Sequence, residues 1–175
     1  MELGLTFPLQ RFLRRKPPDY GTETDRRFCW DLHVISLRGR RCLLAVHSHS
    51  RYTFVRYDVA PLQWADLHGL FRMGLTESLT AVGFGAEQIS GYLQLAGPAS
   101  LTRTHGRREV AFLNRAWEDV LASDLCLDTD RQAQSLLDHA VNTRPSRCAG
   151  FDGLGTGLER MTELLEGRET QWNRQ

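Results

Sequence analysis

FCWDLHVISLRGRRCLLAVHSHSRYTFVRY, residues 28–57, is the stretch that decides the fold of this chain. Apolar, aromatic and β-branched residues alternate with polar ones in it or form short unbroken runs, a pattern typical of β-strands. We predict strands over residues 28–37, 41–47 and 51–57, separated by two short turns. Because turns this short join only antiparallel neighbours, the stretch predicts a three-stranded meander.

The chain beyond the meander is predicted to be mainly helical. Apolar residues recur there at helical spacing, over residues 61–82, 86–95, 108–125 and 130–139. The segment SLTRT, residues 100–104, predicts one later strand. The sequence therefore indicates an α+β fold: a small, mainly antiparallel sheet, made of the meander and the later strand, with helices packed on one face.

Two flanking segments are expected outside this domain, which we place at residues 28–141. Residues 1–27 form a basic N-terminal arm, which either docks on the domain through its leucines or contacts nucleic acid or an acidic partner. We expect the arm to be dispensable for folding. Its candidate binding residues precede a Pro-Pro pair and are Arg11, Arg14, Arg15 and Lys16. Residues 142–175 are predicted to be a Gly- and Arg-rich linker with a short helix over 158–166.

The composition limits the classes of function. A chain of 175 residues with 41% hydrophobic residues fits one globular domain. Its net charge of +1 supplies no general field for nucleic acid or an anionic membrane, so any basic binding surface is local. Lys16 is the sole lysine among the basic residues. This preference for arginine reflects either codon usage or the suitability of the guanidinium group for carboxylate and phosphate.

Cysteine usage and the absence of long apolar runs point to the cytoplasm. None of the four cysteines stands in a C-x-x-C pair, so the spacing of a structural zinc site is missing, and we expect neither a metal nor a cofactor. No secretory signal is visible at the start, and no apolar run has membrane-spanning length. We therefore predict a cytoplasmic protein with reduced thiols and no membrane contact.

The order of these segments resembles that of a family of small bacterial proteins classed as a domain of unknown function. The resemblance covers roughly residues 28–125. Its motifs are Trp30 in the first strand, the Arg-Cys-Leu-Leu run at residues 41–44, the polar turn and aromatic strand at 47–54, the Thr-x-x-Arg-Arg turn at 104–108 and Asn114 in the following helix. The resemblance implies a fold and no activity.

The turn before the helix at residue 108 is the strongest candidate contact surface. The sequence there is TRTHGRRE, residues 102–109. A helix start leaves backbone N–H groups unpaired and favours anions, and the neighbouring arginines add forked donors. We expect either an anion-binding or partner-binding surface or a solvated turn. The residues expected to bind are Arg103, Thr104, Arg107 and Arg108.

The histidines leave two further hypotheses open. His47 and His49 are two residues apart, so they share one face of a strand and are candidate metal ligands together with His33 and Asp31 on the neighbouring strand. The spacing supplies no diagnostic third or fourth ligand, and a polar hairpin turn explains the residues equally well. Alternatively, His47 and His105 act as acid and base, with arginines beside a phosphate, in a metal-independent nuclease.

No G-x-S-x-G or H-E-x-x-H motif is present, so the sequence favours a binding protein over an enzyme. We expect a non-enzymatic binding or regulatory protein that contacts a protein or nucleoprotein partner through arginine-rich surfaces. Direct contact with nucleic acid remains open. By analogy with small phage and mobile-element proteins, it is a candidate inhibitor of a host complex. The alternatives are the nuclease, with His47 and His105 as its catalytic residues, and a structural subunit that oligomerises through its sheet edge.

Overall fold

A five-stranded mixed sheet forms the centre of the computed structural model, which describes residues 1–167. The strands are β1 (Glu2–Leu5), β2 (Cys29–Leu37), β3 (Arg40–His47), β4 (Thr53–Arg56) and β5 (Ser100–Arg103). Their order across the sheet is β4-β3-β2-β1-β5. The predicted meander is confirmed, because β2 pairs antiparallel with β3 and β3 with β4. Strand β1 runs parallel to both of its neighbours, β2 and β5.

Strand β1 corrects the expected separate arm over residues 1–27. Leu3 and Leu5 are buried in the core, and their partners on β2 are Trp30 and Leu32. Because β1 is hydrogen-bonded on both of its sides, residues 2–5 are an interior part of the sheet. Helix α1 (Phe7–Phe12) follows directly, and the hydroxyl of Thr6 accepts a hydrogen bond from its first turn.

The remaining helices are α2 (Pro61–Ala65), α3 (Leu67–Ala81), α4 (Ala86–Ala96), α5 (Arg107–Leu121), α6 (Ser135–Asn142) and α7 (Gly157–Leu165), with 3₁₀ turns at Arg26–Phe28 and Asp124–Cys126. The single helix predicted over 61–82 is divided at Asp66. The Asp66 carboxylate accepts a hydrogen bond from the Gly69 N–H and so starts α3. None of the helices between residues 1 and 167 is long and apolar enough to cross a membrane.

Helices cover both faces of the sheet, so the prediction of helices on one face is wrong. Successive residues of β2 point to opposite faces. Trp30 faces a first core on the α3 side, where its ring lies 5.4 Å from that of Phe71. Ile35 faces a second core, in which Leu113 of α5 and Leu137 of α6 are buried. The reason is that β2 and β3 carry apolar side chains on both faces, so helices must pack on each face to remove those side chains from water.

The C-terminal segment packs against the domain as far as residue 167. Ser146 and Gly155 form an antiparallel bridge within the stretch expected to be a linker. The short helix predicted over 158–166 is present as α7, and its Met161 is fully buried in the first core. Residues 168–175 of the predicted segment lie outside the described part of the chain.

Candidate functional site

Four ionisable side chains meet beneath the sheet around His105. Glu2 lies on β1, Cys29 and Asp31 lie on β2, and His105 follows β5. Glu2 is paired with Cys29 in the parallel register, and alternation along β2 puts Asp31 on the same face. The side chains of Glu2, Asp31 and His105 are only 9%, 2% and 3% exposed, and Cys29 is fully buried. We call these four residues the His105 cluster.

Both ring nitrogens of His105 are hydrogen-bonded to carboxylates. Nδ1 lies 3.1 Å from Oδ1 of Asp31, and Nε2 lies 3.2 Å from Oε2 of Glu2. The His105 backbone N–H also donates to Oδ1 of Asp31, at 3.1 Å, and the Ser48 hydroxyl donates to Oδ2, at 3.0 Å. These bonds fix the imidazole ring between two acidic groups that come from neighbouring parallel strands.

The Glu2 carboxylate is held by the backbone of the loop that precedes β2. Its Oε1 accepts hydrogen bonds from the N–H groups of Thr22 and Glu23, at 2.7 Å and 2.9 Å. Burial raises the pKa of Glu2, but these backbone hydrogen bonds lower it by more, so its pKa lies below the ordinary value. Glu2 is therefore ionised at neutral pH although it is buried.

Two glycines make room for the carboxylates. A Cβ atom at Gly4 would lie 2.3 Å from Oδ1 of Asp31 and 3.0 Å from Nδ1 of His105. A Cβ atom at Gly21 would lie 1.9 Å from Oε2 of Glu2. These distances are shorter than ordinary contacts, so a side chain at Gly4 or Gly21 would displace the groups of the cluster.

His105 is held in its charged form. Burial lowers the pKa of His105, but the hydrogen bond with Asp31 and the proximity of Cys29 raise it by more, to about 10. At neutral pH both ring nitrogens therefore carry protons, and each donates to one carboxylate. The cluster is a charged, hydrogen-bonded unit that is closed to large substrates.

The same cluster contains three groups that bind metals in other proteins. Ligand atoms of Glu2, Cys29 and His105 lie within 4.8 Å of one another. A carboxylate, a thiol and an imidazole are the ligand types that zinc accepts. No residue of this set is close to another in sequence, so the C-x-x-C spacing used in the sequence analysis did not detect it.

The metal site considered for the meander histidines does not form as expected. The His47 ring is committed on both nitrogens, to the Ser50 hydroxyl at 2.8 Å and the Arg27 carbonyl at 2.9 Å. His49 packs against Phe151, with ring centroids 5.0 Å apart. His33 is hydrogen-bonded to Thr6, at 2.8 Å, and Asp31 belongs to the His105 cluster. The rings of His47 and His49 lie near each other, with centroids 6.2 Å apart, but His33 and Asp31 are held by other neighbours and do not join them.

His47 and His105 lie on opposite faces of the sheet. His47 is the register partner of Trp30 and stacks near it, with centroids 4.6 Å apart in the first core. His105 contacts Asp31, which points to the other face. Complete burial lowers the pKa of His47 to about 3, so this ring is neutral. The arrangement does not direct the two histidines at one phosphate.

The predicted contact surface at the start of α5 is exposed only in part. Thr104 is half-buried beside the cluster. Arg103 donates to the Pro18 carbonyl, at 3.0 Å, and lies over the Tyr20 ring, at 4.6 Å. Arg107 and Arg108 are exposed, and Arg108 is paired at 2.8 Å with the buried carboxylate of Glu109. An acidic group of the chain itself therefore already lies at this helix start.

One of the basic residues after β1, Arg15, lines an apolar groove between α1 and α2. Exposed Arg15, with Arg41 of β3, lines a space of about 590 Å³. The apolar lining residues are Phe12, Leu13, Val59, Pro61, Trp64 and Ala65. Phe12 stands edge-on to Trp64, with ring centroids 4.9 Å apart. We call this site the α1–α2 groove. Arg11 lies over the Phe7 ring, and Arg14 and Lys16 are exposed; none of the three is among the lining residues of the groove.

Glu2, Cys29 and Arg41 are the site residues that sequence reasoning missed. Glu2 and Cys29 are neighbours only because two parallel strands pair, although helix α1 and a long connection lie between them in the chain. Their spacing carries no local signal. The alternation in ELGL, residues 2–5, was the signal available for β1, since it places Glu2 and Gly4 on one face and two leucines on the other.

Comparison with protein families accounts for most of the chain. Residues 2–155 match the family model described as "Domain of unknown function (DUF6933)". A comparison with curated proteins finds no match. The matched segment begins with β1 and includes every strand of the sheet, the His105 cluster and the α1–α2 groove. The resemblance expected for residues 28–125 therefore extends beyond them at both ends, and the chain belongs to the DUF6933 family.

Proposed function

We propose that this chain is a non-enzymatic binding or regulatory protein that holds an acidic, amphipathic segment of a partner protein in the α1–α2 groove. The observation that carries the proposal is the composition of the groove: an apolar lining that includes Trp64 and Phe12, together with Arg15 and Arg41. The few residues that dominate the binding energy of protein interfaces are enriched in tryptophan, tyrosine and arginine.

Exposed apolar side chains on the two helices favour a protein partner. Phe12, which lines the groove, is 38% exposed. Phe7 and Leu62 lie on the same two helices outside the lining of the groove and are 64% and 87% exposed. A nucleic acid presents mainly phosphate and would leave this surface uncovered, whereas an amphipathic peptide covers it. The net charge of +1 also favours a local acidic contact over a general affinity for polyanions.

The charges determine which segment fits. Arginine binds carboxylate through paired N–H donors, and such bonds are about twice as strong as those between neutral groups. A segment with aspartate or glutamate beside leucine or phenylalanine matches both the guanidinium groups and the apolar lining. Binding of this kind requires no catalytic centre and suits a regulatory protein, including an inhibitor of a larger nucleoprotein complex.

The test uses fluorescence anisotropy with defined probes. The first probe is a short fluorescein-labelled peptide that alternates aspartate with leucine. The others are the same peptide with lysine in place of aspartate, and a single-stranded DNA oligonucleotide. We expect saturable binding of the acidic peptide alone, weakened by added salt because part of the attraction is electrostatic. Preferred binding of the DNA would refute the choice of a protein segment.

Charge reversals identify the surface. We expect Arg15→Glu with Arg41→Glu to raise the Kd for the acidic peptide at least about tenfold, because hydrogen bonds to charged groups contribute about 1.5–3 kcal/mol each. The matched control is Arg107→Glu with Arg108→Glu at the start of α5, which packs on the other face of the sheet. If only this control pair weakens binding, the contact surface is at α5 and the groove proposal is wrong.

A further inference from the structure

We propose that Cys29, His105 and Glu2 bind a divalent transition-metal ion of the zinc type, and that Asp31 acts as a positioning residue for His105. The proposal is independent of the α1–α2 groove, which lies on the other face of the sheet. It stands on the convergence of three different ligand types from three chain segments, with ligand atoms within 4.8 Å of one another. Sulfur and nitrogen ligands select zinc or cobalt over magnesium and calcium.

The hydrogen bonds indicate which ring nitrogen binds the ion. Nε2 of His105 faces Glu2, a member of the ligand set, at 3.2 Å. Nδ1 faces Asp31 at 3.1 Å. Histidines that bind a metal through one nitrogen almost always donate the other N–H to a carboxylate or carbonyl, which fixes the tautomer and the ring orientation. Asp31 already holds Nδ1 in this manner.

Asp31 is itself fixed, so the support of the imidazole is preformed. Its Oδ1 accepts from the His105 backbone N–H as well as from the ring, and its Oδ2 accepts from Ser48 at 3.0 Å. The two oxygens of Glu2 also have different partners. Oε1 accepts from the N–H groups of Thr22 and Glu23, and Oε2 lies 3.2 Å from Nε2 of His105. Each carboxylate thus has one oxygen anchored and the other aimed at the imidazole.

The separation of the ligand atoms requires only small side-chain movements. Zinc bonds of about 2.0–2.3 Å place tetrahedral ligand atoms roughly 3.5 Å apart. The ligand atoms now lie within 4.8 Å of one another, and rotation of the Cys29 and Glu2 side chains is the movement that we expect to close the difference. Three protein ligands leave the fourth position of a tetrahedral ion for one water molecule, which the buried side chains would shield from bulk solvent.

The ion would replace hydrogen bonds that the ligands now make to other groups. The Cys29 thiol donates to the Asp25 carbonyl, at 3.6 Å, and Nε2 of His105 lies 3.2 Å from Oε2 of Glu2. Metal binding requires a thiolate and an unprotonated Nε2, so uptake of the ion is coupled to the release of protons.

The experiment titrates Co²⁺ into the full chain after treatment with a chelator. Cobalt reports its ligands directly, through a sulfur-to-cobalt charge-transfer band in the near ultraviolet and d–d bands in the visible. We expect both sets of bands to saturate at one equivalent and to disappear when Zn²⁺ is added. No stoichiometric uptake, or d–d bands without the charge-transfer band, would overturn the proposal.

Substitutions assign the ligands. We expect Cys29→Ser to abolish the charge-transfer band, while the matched control Cys42→Ser, a fully buried cysteine on β3, keeps it. We expect Asp31→Asn to keep the band and weaken Co²⁺ affinity about 10- to 100-fold, the usual effect of losing a group that orients a ligand. Loss of the band in Cys42→Ser and its survival in Cys29→Ser would reject the site.

X-ray absorption on the zinc-loaded wild-type chain keeps the test decisive if a variant does not fold. We expect one sulfur ligand and the remainder nitrogen or oxygen, with a Zn–S distance of about 2.3 Å. A coordination shell made only of nitrogen and oxygen contradicts the inclusion of Cys29 without any substitution. Near-UV circular dichroism of each metal-free variant shows which of them have retained the native packing.

Discussion

The side-chain amide of Asn142 forms two hydrogen bonds with the backbone of Thr53, one to its N–H and one to its carbonyl. A neighbouring strand would form the same two bonds. Its Oδ1 accepts from the Thr53 N–H at 2.7 Å, and its Nδ2 donates to the Thr53 carbonyl at 2.6 Å. One turn earlier on α6, Asp138 accepts from the Val55 N–H at 2.9 Å. Helix α6 thereby covers the outer edge of β4. A covered edge is unavailable for pairing with a second chain, which weighs against the structural subunit joined through that edge.

We expect Asn142→Ala to lower the free energy of unfolding by about 2–4 kcal/mol, because it leaves two buried backbone groups of Thr53 without partners. Urea unfolding followed by circular dichroism measures the loss. Asn114→Ala, at an exposed position on α5, is the control and should change stability little. A small loss for Asn142→Ala would mean that water enters and replaces the amide.

The pH dependence of stability should report Asp138. Complete burial raises the pKa of this carboxyl to about 8, although hydrogen bonds from Ser78 and Val55 lower it. Because the folded state holds the proton more tightly, the contribution of Asp138 to stability is fully present below the ordinary pKa of about 4 and is lost as pH rises to 8. We expect Asp138→Asn to remove this loss.

The comparison with Asp138→Asn must be made at each pH, because His47 acts in the opposite direction. Its pKa of about 3 means that the folded state gains stability as pH rises from 3 towards 6.5. The difference between wild type and variant cancels this contribution, since His47 is present in both. A difference that stays constant from pH 4 to 8 would show that Asp138 is ionised in the folded state.

In the metal-free protein we expect His105 to stay protonated well above neutral pH. Its pKa of about 10 lies above the unfolded value, so its contribution to stability is fully present below pH 6.5 and is lost as pH rises to 10. Nitrogen-15 shifts of the imidazole rings measure the state directly. At pH 7.5, His105 should show two protonated nitrogens and His47 should show a neutral ring. Titration of His105 near pH 6.5 would contradict the hydrogen-bonded geometry.

Strand β1 should be essential for folding, contrary to the expectation that the N-terminal residues are dispensable. We expect Leu3→Ala to cost about 2–5 kcal/mol, the usual range for a fully buried leucine. Leu125→Ala is the control, because that side chain is fully exposed. Deletion of residues 1–18 removes a strand with two hydrogen-bonded neighbours and should abolish the cooperative thermal transition. A cooperative transition in the deletion variant would restore the separate arm.

The sequence predicted those parts of the fold that depend on residues close together in the chain, and it did not predict those that depend on distant residues. Alternation and turn length are local, so the meander over residues 28–57 and the strand at 100–104 were found close to their observed places. Strand β1 pairs in parallel with partners far along the chain, and its four residues carry too little pattern to reveal that pairing. Helices on both faces follow from the unbroken apolar run in β3, which indicates burial on both sides.

The candidate site was predictable only at its centre. The sequence indicated His105 and the surrounding arginines as a candidate site because they lie at the predicted start of a helix. The carboxylates that surround the ring come from β1 and β2, so their approach depends on strand order, which no spacing within the chain encodes. Of the basic residues expected to bind in the N-terminal arm, Arg15 lines the α1–α2 groove. Its position there depends on the docking of α1 at Trp64, which no spacing in the sequence encodes.

Gly4→Ala tests whether the His105 cluster is tightly packed around Gly4. A comparison with a second glycine-to-alanine change distinguishes this from the general effect on stability of replacing a glycine. The added Cβ atom would meet Oδ1 of Asp31 at 2.3 Å and the Thr104 backbone at 3.0 Å, so the ion pair with His105 must shift. We expect a loss of about 1–3 kcal/mol, as for other overpacked sites, and a lowered pKa of His105 as Asp31 moves away.

Gly91→Ala is the matched control, because that glycine lies inside α4 and an added Cβ atom has no neighbour within 4 Å. There alanine should raise stability by up to about 1 kcal/mol, since it favours the helix more than glycine does. Thermal unfolding and imidazole nitrogen-15 shifts of both variants give the comparison. If Gly4→Ala is as stable as wild type and leaves the His105 shifts unchanged, Asp31 has room to move without releasing His105. The two carboxylates would then not hold the ring as rigidly as their hydrogen bonds indicate.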